Sequence, residues 1–315
     1  MLAAQIRSGL VETTHEGAIA VAGADGELIA RDGDIDRPFF LRSSAKPFQA
    51  YVSQQSGADL TTLELAMACA SHRGLPVQVA LVDSMLGVGG LDESSLRCPP
   101  SWPLSPEAAR LVQRAGADKP RRLWHNCSGK HAGFLRACVA AGWPVETYNE
   151  ADHPLQRKVI DFVSEVGGHR VEPVGVDGCG VPVMRTTVRA MATMFSRLAC
   201  DEEFAEVFAA MHRYPGLIGV NGQGDTEIGV ATNSAAKGGA AGCIGVAVSG
   251  RYGIAVKSWD GINPVADLAA AATLERLGGV SSVASDALGA VVHPPVLGGG
   301  ATVGRYEPRF DLEEV

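Results

Sequence analysis

Three observations predict an α+β protein, an antiparallel sheet packed with helices. A strand hairpin stands near the start of the chain, a second in its last third, and the sequence between them is mainly helical. Strands and helices are segregated rather than alternating, which argues against a parallel βαβ sheet. We read the 315 residues as a single catalytic unit, with 1–45 and 235–315 supplying the sheet and 46–234 the helical portion.

The first hairpin is AIAVAGADGELIARDGD, residues 18–34, where alternating apolar positions flank the turn dipeptide Asp25-Gly26. The next stretch, IDRPFFLRSSAKPFQAYVSQQ, passes from extended chain into a helix with Pro47 in its early turns. Ser43 and Lys46 therefore fall at or just before a helix N-terminus. A capping box, Thr61 to Glu64, opens a helix expected to close at Gly74, leaving Ser71 and His72 at its end. Ser105 and Pro106 open another helix, closed by Gly116. Residues 126–142 turn from polar loop into helix, 153–168 form an amphipathic helix, and 184–199 are helical after the loop VEPVGVDGCGVPV. The second hairpin, CIGVAVSGRYGIAVKSWDG, turns at Ser249-Gly250-Arg251; a helix follows, with Asn263 as N-cap, Pro264 next and Gly278 as terminator.

Bulk properties narrow the function. A formal net charge of -8 and a pI near 5.5, with no run of Lys or Arg, exclude nucleic acid as an expected partner. No apolar stretch is long enough for a membrane span. The N-terminus reads as lacking a leader, and seven scattered cysteines suit free thiols in the cytoplasm.

Six stretches carry candidate chemistry. In LRSSAKPFQA, Ser43 and Lys46 have Ser-x-x-Lys spacing, which puts both on one helical turn. A serine needs a base, and a lysine is one only when burial or a nearby cation lowers its pKa. Read alone, the same residues make a helix cap and a solvated lysine. In CASHRG, Ser71 and His72 read either as site groups or as hydrogen bonds closing a helix. WHNCSGKHAG and VDGCGVP each set one cysteine in a tight polar loop. Cys127 with Lys130 or His131, and Cys179 with Asp177, offer sulfur and nitrogen ligands suited to zinc, or else are inert buried thiols. Lys257, at the end of a strand, either points into a cleft or snorkels to solvent. Lys237, before a glycine pair, marks a close backbone approach or a flexible loop.

Taken jointly and in this order, these stretches resemble the asparaginase II family, the rhizobial-type L-asparaginases, over positions 41 to 261. That family is similar in fold to serine β-lactamases, penicillin-binding proteins and class A glutaminases. The resemblance implies hydrolysis of L-asparagine to L-aspartate and ammonia. It implies two Ser–Lys tandems, Ser43 with Lys46 and Ser71 with Lys257, and leaves open which serine attacks. It also implies a zinc site at Cys127, Lys130 and Cys179, substrate contacts from Arg42, His72, Asn126, His131 and Asp177, and a homodimer. Two departures, Asn263-Pro264 after the Asp-Gly and Ala in place of an acidic residue in NSAAKGGAAGC, bear on substrate choice. Other readings are a glutaminase, a β-lactam or peptide amide hydrolase, and a cysteine-based metal-binding or redox protein.

Overall fold

A six-stranded antiparallel sheet frames the molecule in the computed structural model, which describes residues 1–315. Its order is Glu313–Glu314, Leu28–Asp32, Gly17–Gly23, Tyr252–Ser258, Cys243–Val248, Ser234–Gly239. Both hairpins expected from the sequence are present, and they pair with each other through Gly17–Gly23 and Tyr252–Ser258. Lys237, read as either a close approach or a flexible loop, lies in the edge strand Ser234–Gly239.

The period-2 alternation explains how one sheet supports two layers of helix. Ala18, Ala20, Ala235, Cys243, Ala247 and Ala255 face a core shared with the helical middle of the chain. Ile19, Val21, Ile244, Val246, Ile254 and Val256 face a second core beneath the helix Asn263–Arg276. The small-residue face admits the helix Val188–Cys200 at close range: a Cβ on Gly245 would sit 2.1 Å from the Phe195 ring. A second, four-stranded sheet of Pro295–Gly298, Ala301–Pro308, Ala3–Arg7 and Leu10–His15 packs against the second core through Ala3, Val296 and Tyr306.

Two helix boundaries differ from the sequence reading. The capping box at Thr61 and Glu64 forms, but the helix Thr62–Cys69 ends before Ser71. Ala70 turns extended, and Ser71 N donates to Ile218 O at 2.8 Å instead of continuing the helical ladder. Asn263 does not cap its helix through its side chain. That amide donates from Nδ2 to Gly239 O at 2.9 Å, and Oδ1 accepts from Gly242 N at 3.0 Å, tying the helix to the turn after the edge strand. No helix is long and apolar enough to cross a membrane.

Candidate active site

The Ser43 segment is a 3₁₀ turn, Arg42–Ala45, that runs straight into the helix Lys46–Ser53. Pro47 sits at the start of that helix, where its missing N–H is not needed. Arg42 holds a left-handed φ of 50°, a strained conformation for a residue with a side chain. The turn is pinned on two sides. Arg42 Nε donates to Asp177 Oδ1 at 2.7 Å, and Ser44 Oγ donates to Lys237 O at 3.1 Å on the edge strand. Ser43 itself lines a cleft of about 470 Å³, its hydroxyl engaged by no protein group.

Ser71 lines the same cleft and is the serine that Lys46 touches. Lys46 Nζ, on a side chain that is 1% exposed, lies 2.6 Å from Ala70 O, 3.0 Å from Ser71 Oγ and 3.5 Å from Asn126 O. Those three acceptors suit an ammonium. A neutral amine would donate to the two carbonyls and accept the Ser71 hydroxyl proton. Burial, with the Lys237 and Lys130 charges and against the pull of Cys127, brings the Lys46 pKa down to about 8. The amine therefore loses its proton within reach of neutral pH.

The second lysine of the cleft is Lys237, not Lys257. Lys237 lines the cleft beside Ser43 and Ser71, donating to Asp225 Oδ2 at 3.2 Å and to Gly238 O at 2.7 Å. Lys257 does not meet Ser71. Its Nζ donates to Ala241 O at 2.7 Å and to Ser258 O, packed near the Phe39 and Trp259 rings. The register explains the difference. Lys257 pairs with Cys243, and Cys243 with Gly239, so a whole strand separates Lys257 from the cleft-lining edge. The sequence signal for Lys237 was the glycine pair behind it, which keeps that edge narrow.

The sulfur loops converge. Lys130 Nζ donates to Cys179 Sγ at 3.2 Å, and Cys127, whose Sγ donates to Asn126 Oδ1 at 3.6 Å, lies beside Cys179. The neighbouring Cys127 thiol and the Lys130 charge hold the Cys179 thiol well below its ordinary pKa, against burial. The proximity of Cys179 and burial push Cys127 up. Burial works against the Lys130 ammonium, but Cys179, Cys127 and Asp177 around it keep its pKa above the ordinary value. His131 Nε2 is buried next to Cys179 without a geometrically sound acceptor or donor. No three His, Cys, Asp or Glu side chains are arranged to hold a metal, so a site here depends on Lys130 as the third ligand. Two sulfurs and one nitrogen in contact, beside an orphaned imidazole nitrogen, are a donor set that fits zinc once Lys130 and Cys127 give up their protons.

The residues expected to grip a substrate divide. Asn126 lines the cleft. Arg42 and Asp177 pair with each other outside it, and Asp177 Oδ1 also accepts from Gly178 N at 2.8 Å. His72 is fully buried, with Nε2 2.7 Å from Ser128 Oγ and Nδ1 accepting from Gly74 N at 3.1 Å. Burial, with the Lys46 charge, pushes its pKa down to about 3, so the ring is neutral and structural. His131 is buried as well, its Nδ1 2.6 Å from Tyr148 OH. Sequence reasoning did not single out Arg73, Asp225 or Asp267, which the fold brings to the cleft from three separate segments. A larger surface hollow of about 820 Å³, near Arg157, Asp161, Arg170 and Glu172, holds no nucleophile.

No curated protein matches the sequence. Among solved structures, Mglu in its native form is similar with a TM-score of 0.46 and 16% identity, over 88% of this chain and 68% of that one. Mglu in the presence of 4.3 M NaCl gives 0.49 and 17%, over 85% and 62%. A Bacillus glutaminase gives 0.47 and 12%, over 84% and 92%. The family model described as L-asparaginase II matches residues 3–308, nearly the whole sequence. The chain belongs to the L-asparaginase II family.

Proposed function

We propose that this cleft hydrolyses the side-chain amide of L-asparagine, giving L-aspartate and ammonia through a serine acyl-enzyme. Family membership makes the chain an amidohydrolase. The single observation that carries the rest is the placement of Lys46: one turn after Ser43, buried, and 3.0 Å from Ser71 Oγ.

Ser43 attacks the amide carbon. Its hydroxyl has no competing hydrogen bond, and the strained Arg42 fixes the turn that presents it. Lys46, as neutral amine, takes the hydroxyl proton as the C–O bond forms. The resulting ammonium is met by Ala70 O, Asn126 O and Ser71 Oγ, so its charge is hydrogen-bonded as soon as it appears. Ser71 then passes a proton to the leaving nitrogen as the C–N bond breaks and ammonia departs. Water, deprotonated along the same path, cleaves the ester and restores Ser43. The charge of Lys237, paired with Asp225 beside the cleft, favours the neutral form of Lys46.

Cys127, Lys130 and Cys179 would hold a zinc ion. Such an ion would supply Lewis-acid chemistry suited to polarising a carboxylate or carbonyl oxygen, held by a loop whose Asn126 lines the cleft.

The test is ammonia release by the pure protein from L-asparagine and L-glutamine, with intact-mass measurement after a rapid quench. We expect faster turnover of asparagine and an acyl adduct that disappears in Ser43→Ala. Equal or better turnover of glutamine would sink the asparaginase reading. An adduct that survives in Ser43→Ala would move the nucleophile to Ser71.

A further inference from the structure

The cleft carries two carboxylates, and only one of them is committed. Asp225 Oδ2 accepts from Lys237 Nζ at 3.2 Å and from Gly238 N at 3.0 Å. Asp267, on the helix Asn263–Arg276, accepts a single protein hydrogen bond, Gly224 N to Oδ2 at 3.3 Å, and has no cation. The backbone is moulded to it: a Cβ on Gly224 would lie 2.3 Å from Asp267 Cγ, so residue 224 must be glycine for the carboxylate to sit there. Its other oxygen is left to the cleft that holds Ser43 and Ser71.

A carboxylate in that position lacks a positive charge. Burial and the neighbouring Asp225 push its pKa up to about 7, with Gly224 N–H and Lys237 opposing. Lys237 does not neutralise it, being paired with Asp225. Asp177, the carboxylate that the resemblance implies as a substrate contact, is taken by Arg42 and Gly178 N.

We propose that Asp267 receives the α-ammonium group of the substrate and thereby makes the cleft selective for free amino acids over amides that lack the amine. The assignment rests on the amidohydrolase reading for its substrate class. A bound ammonium supplies the missing charge-assisted hydrogen bonds, and Asp267 gives up its proton to solvent as it binds.

Calorimetric titration with L-aspartate and with succinate, which lacks only the amine, tests this on the wild type and on Asp267→Asn. The wild type should bind aspartate at least about 10-fold tighter than succinate. In Asp267→Asn, whose amide keeps an acceptor for Gly224 N–H, that ratio should fall to near one. An unchanged ratio in the variant, or no preference in the wild type, overturns the assignment. If the variant does not fold, the wild type decides alone. Aspartate binding at pH 7 in two buffers of different ionisation heat should release about half a proton per site that succinate does not, since a pKa of about 7 leaves the free carboxyl half protonated there, and equal proton counts refute it. Both ligands are products or product analogues. A wild type that hydrolyses neither asparagine nor glutamine therefore discards the amidohydrolase reading without touching this result.

Discussion

Lys46 Nζ stands 3.0 Å from Ser71 Oγ, a residue 25 positions away, while Ser43, one turn before the same lysine, keeps a free hydroxyl in the cleft. One amine therefore touches Ser71 and follows Ser43 by a single turn. Lys46→Met should lower kcat for ammonia release by roughly 100- to 10,000-fold, the span of a lost general base. Ser43→Ala should abolish turnover, and Ser71→Ala should slow it while leaving a detectable acyl-enzyme. Steady-state rates, with thermal midpoints to report folding, check all three.

The pH profile follows from the base. Lys46 acts only after losing its proton, and its pKa lies near 8, so kcat/KM should rise as pH increases through that value. The Lys237 charge contributes to that lowering. Lys237→Met should therefore move the rising limb to higher pH, whatever it does to the plateau rate. A limb that stays fixed would detach Lys237 from Lys46.

Acid should destabilise the fold through His72. Its folded pKa of about 3 lies below the ordinary 6.5, so below pH 6.5 the unfolded chain binds a proton that the folded chain refuses. Stability is then lost progressively as pH falls from 6.5 towards 3, by roughly 3 kcal/mol at pH 4. His125, lowered to about 4 chiefly by burial, adds to the same slope. Urea unfolding at several pH values should show a shallower slope in His72→Asn than in the wild type.

The sheet–helix contact has no slack at residue 245. Gly245→Val should cost roughly 3 kcal/mol through overpacking against Phe195, read as a lower thermal midpoint with the cleft chemistry intact in what remains folded.

The metal assignment is separable from the serine chemistry. Protein purified without an affinity tag should carry about one zinc per chain at neutral pH by elemental analysis, and Cys127→Ala or Cys179→Ala should remove it. A wild type without zinc would leave the thiolate–ammonium pair of Cys179 and Lys130 as the resting state of these loops.

The two hairpins, the capping box at Thr61 and the helix opened by Ser105 were legible because each is written in local residues: a period of two, a Thr–Glu spacing, a serine before proline. The site was legible as a set of stretches and not as a set of contacts. Lys237 and Lys257 both sit at strand positions facing the same layer, and only the register assigns Lys237 to the edge. The charges of Arg42 and Asp177 are real, but each is spent on the other, a pairing across 135 positions that no spacing rule announces. Asp267 looked like one polar residue on an alanine-rich helix until Gly224 came up against it. The four-stranded sheet was missed although Ser8-Gly9 and Gly299-Gly300 close its two hairpins in left-handed turns, because the hairpins come from opposite termini and only tertiary pairing of Ala3–Arg7 with Ala301–Pro308 joins them.

The ion pair of Arg42 and Asp177 has a mechanical side. Asp177 stands two residues before Cys179 and Arg42 one before Ser43, so the pair acts as a rigid link between the thiol loop and the reactive turn. Arg42 carries its left-handed φ of 50° at the end of that link, so the residue that ties down the thiol loop also sets the turn one peptide bond before Ser43.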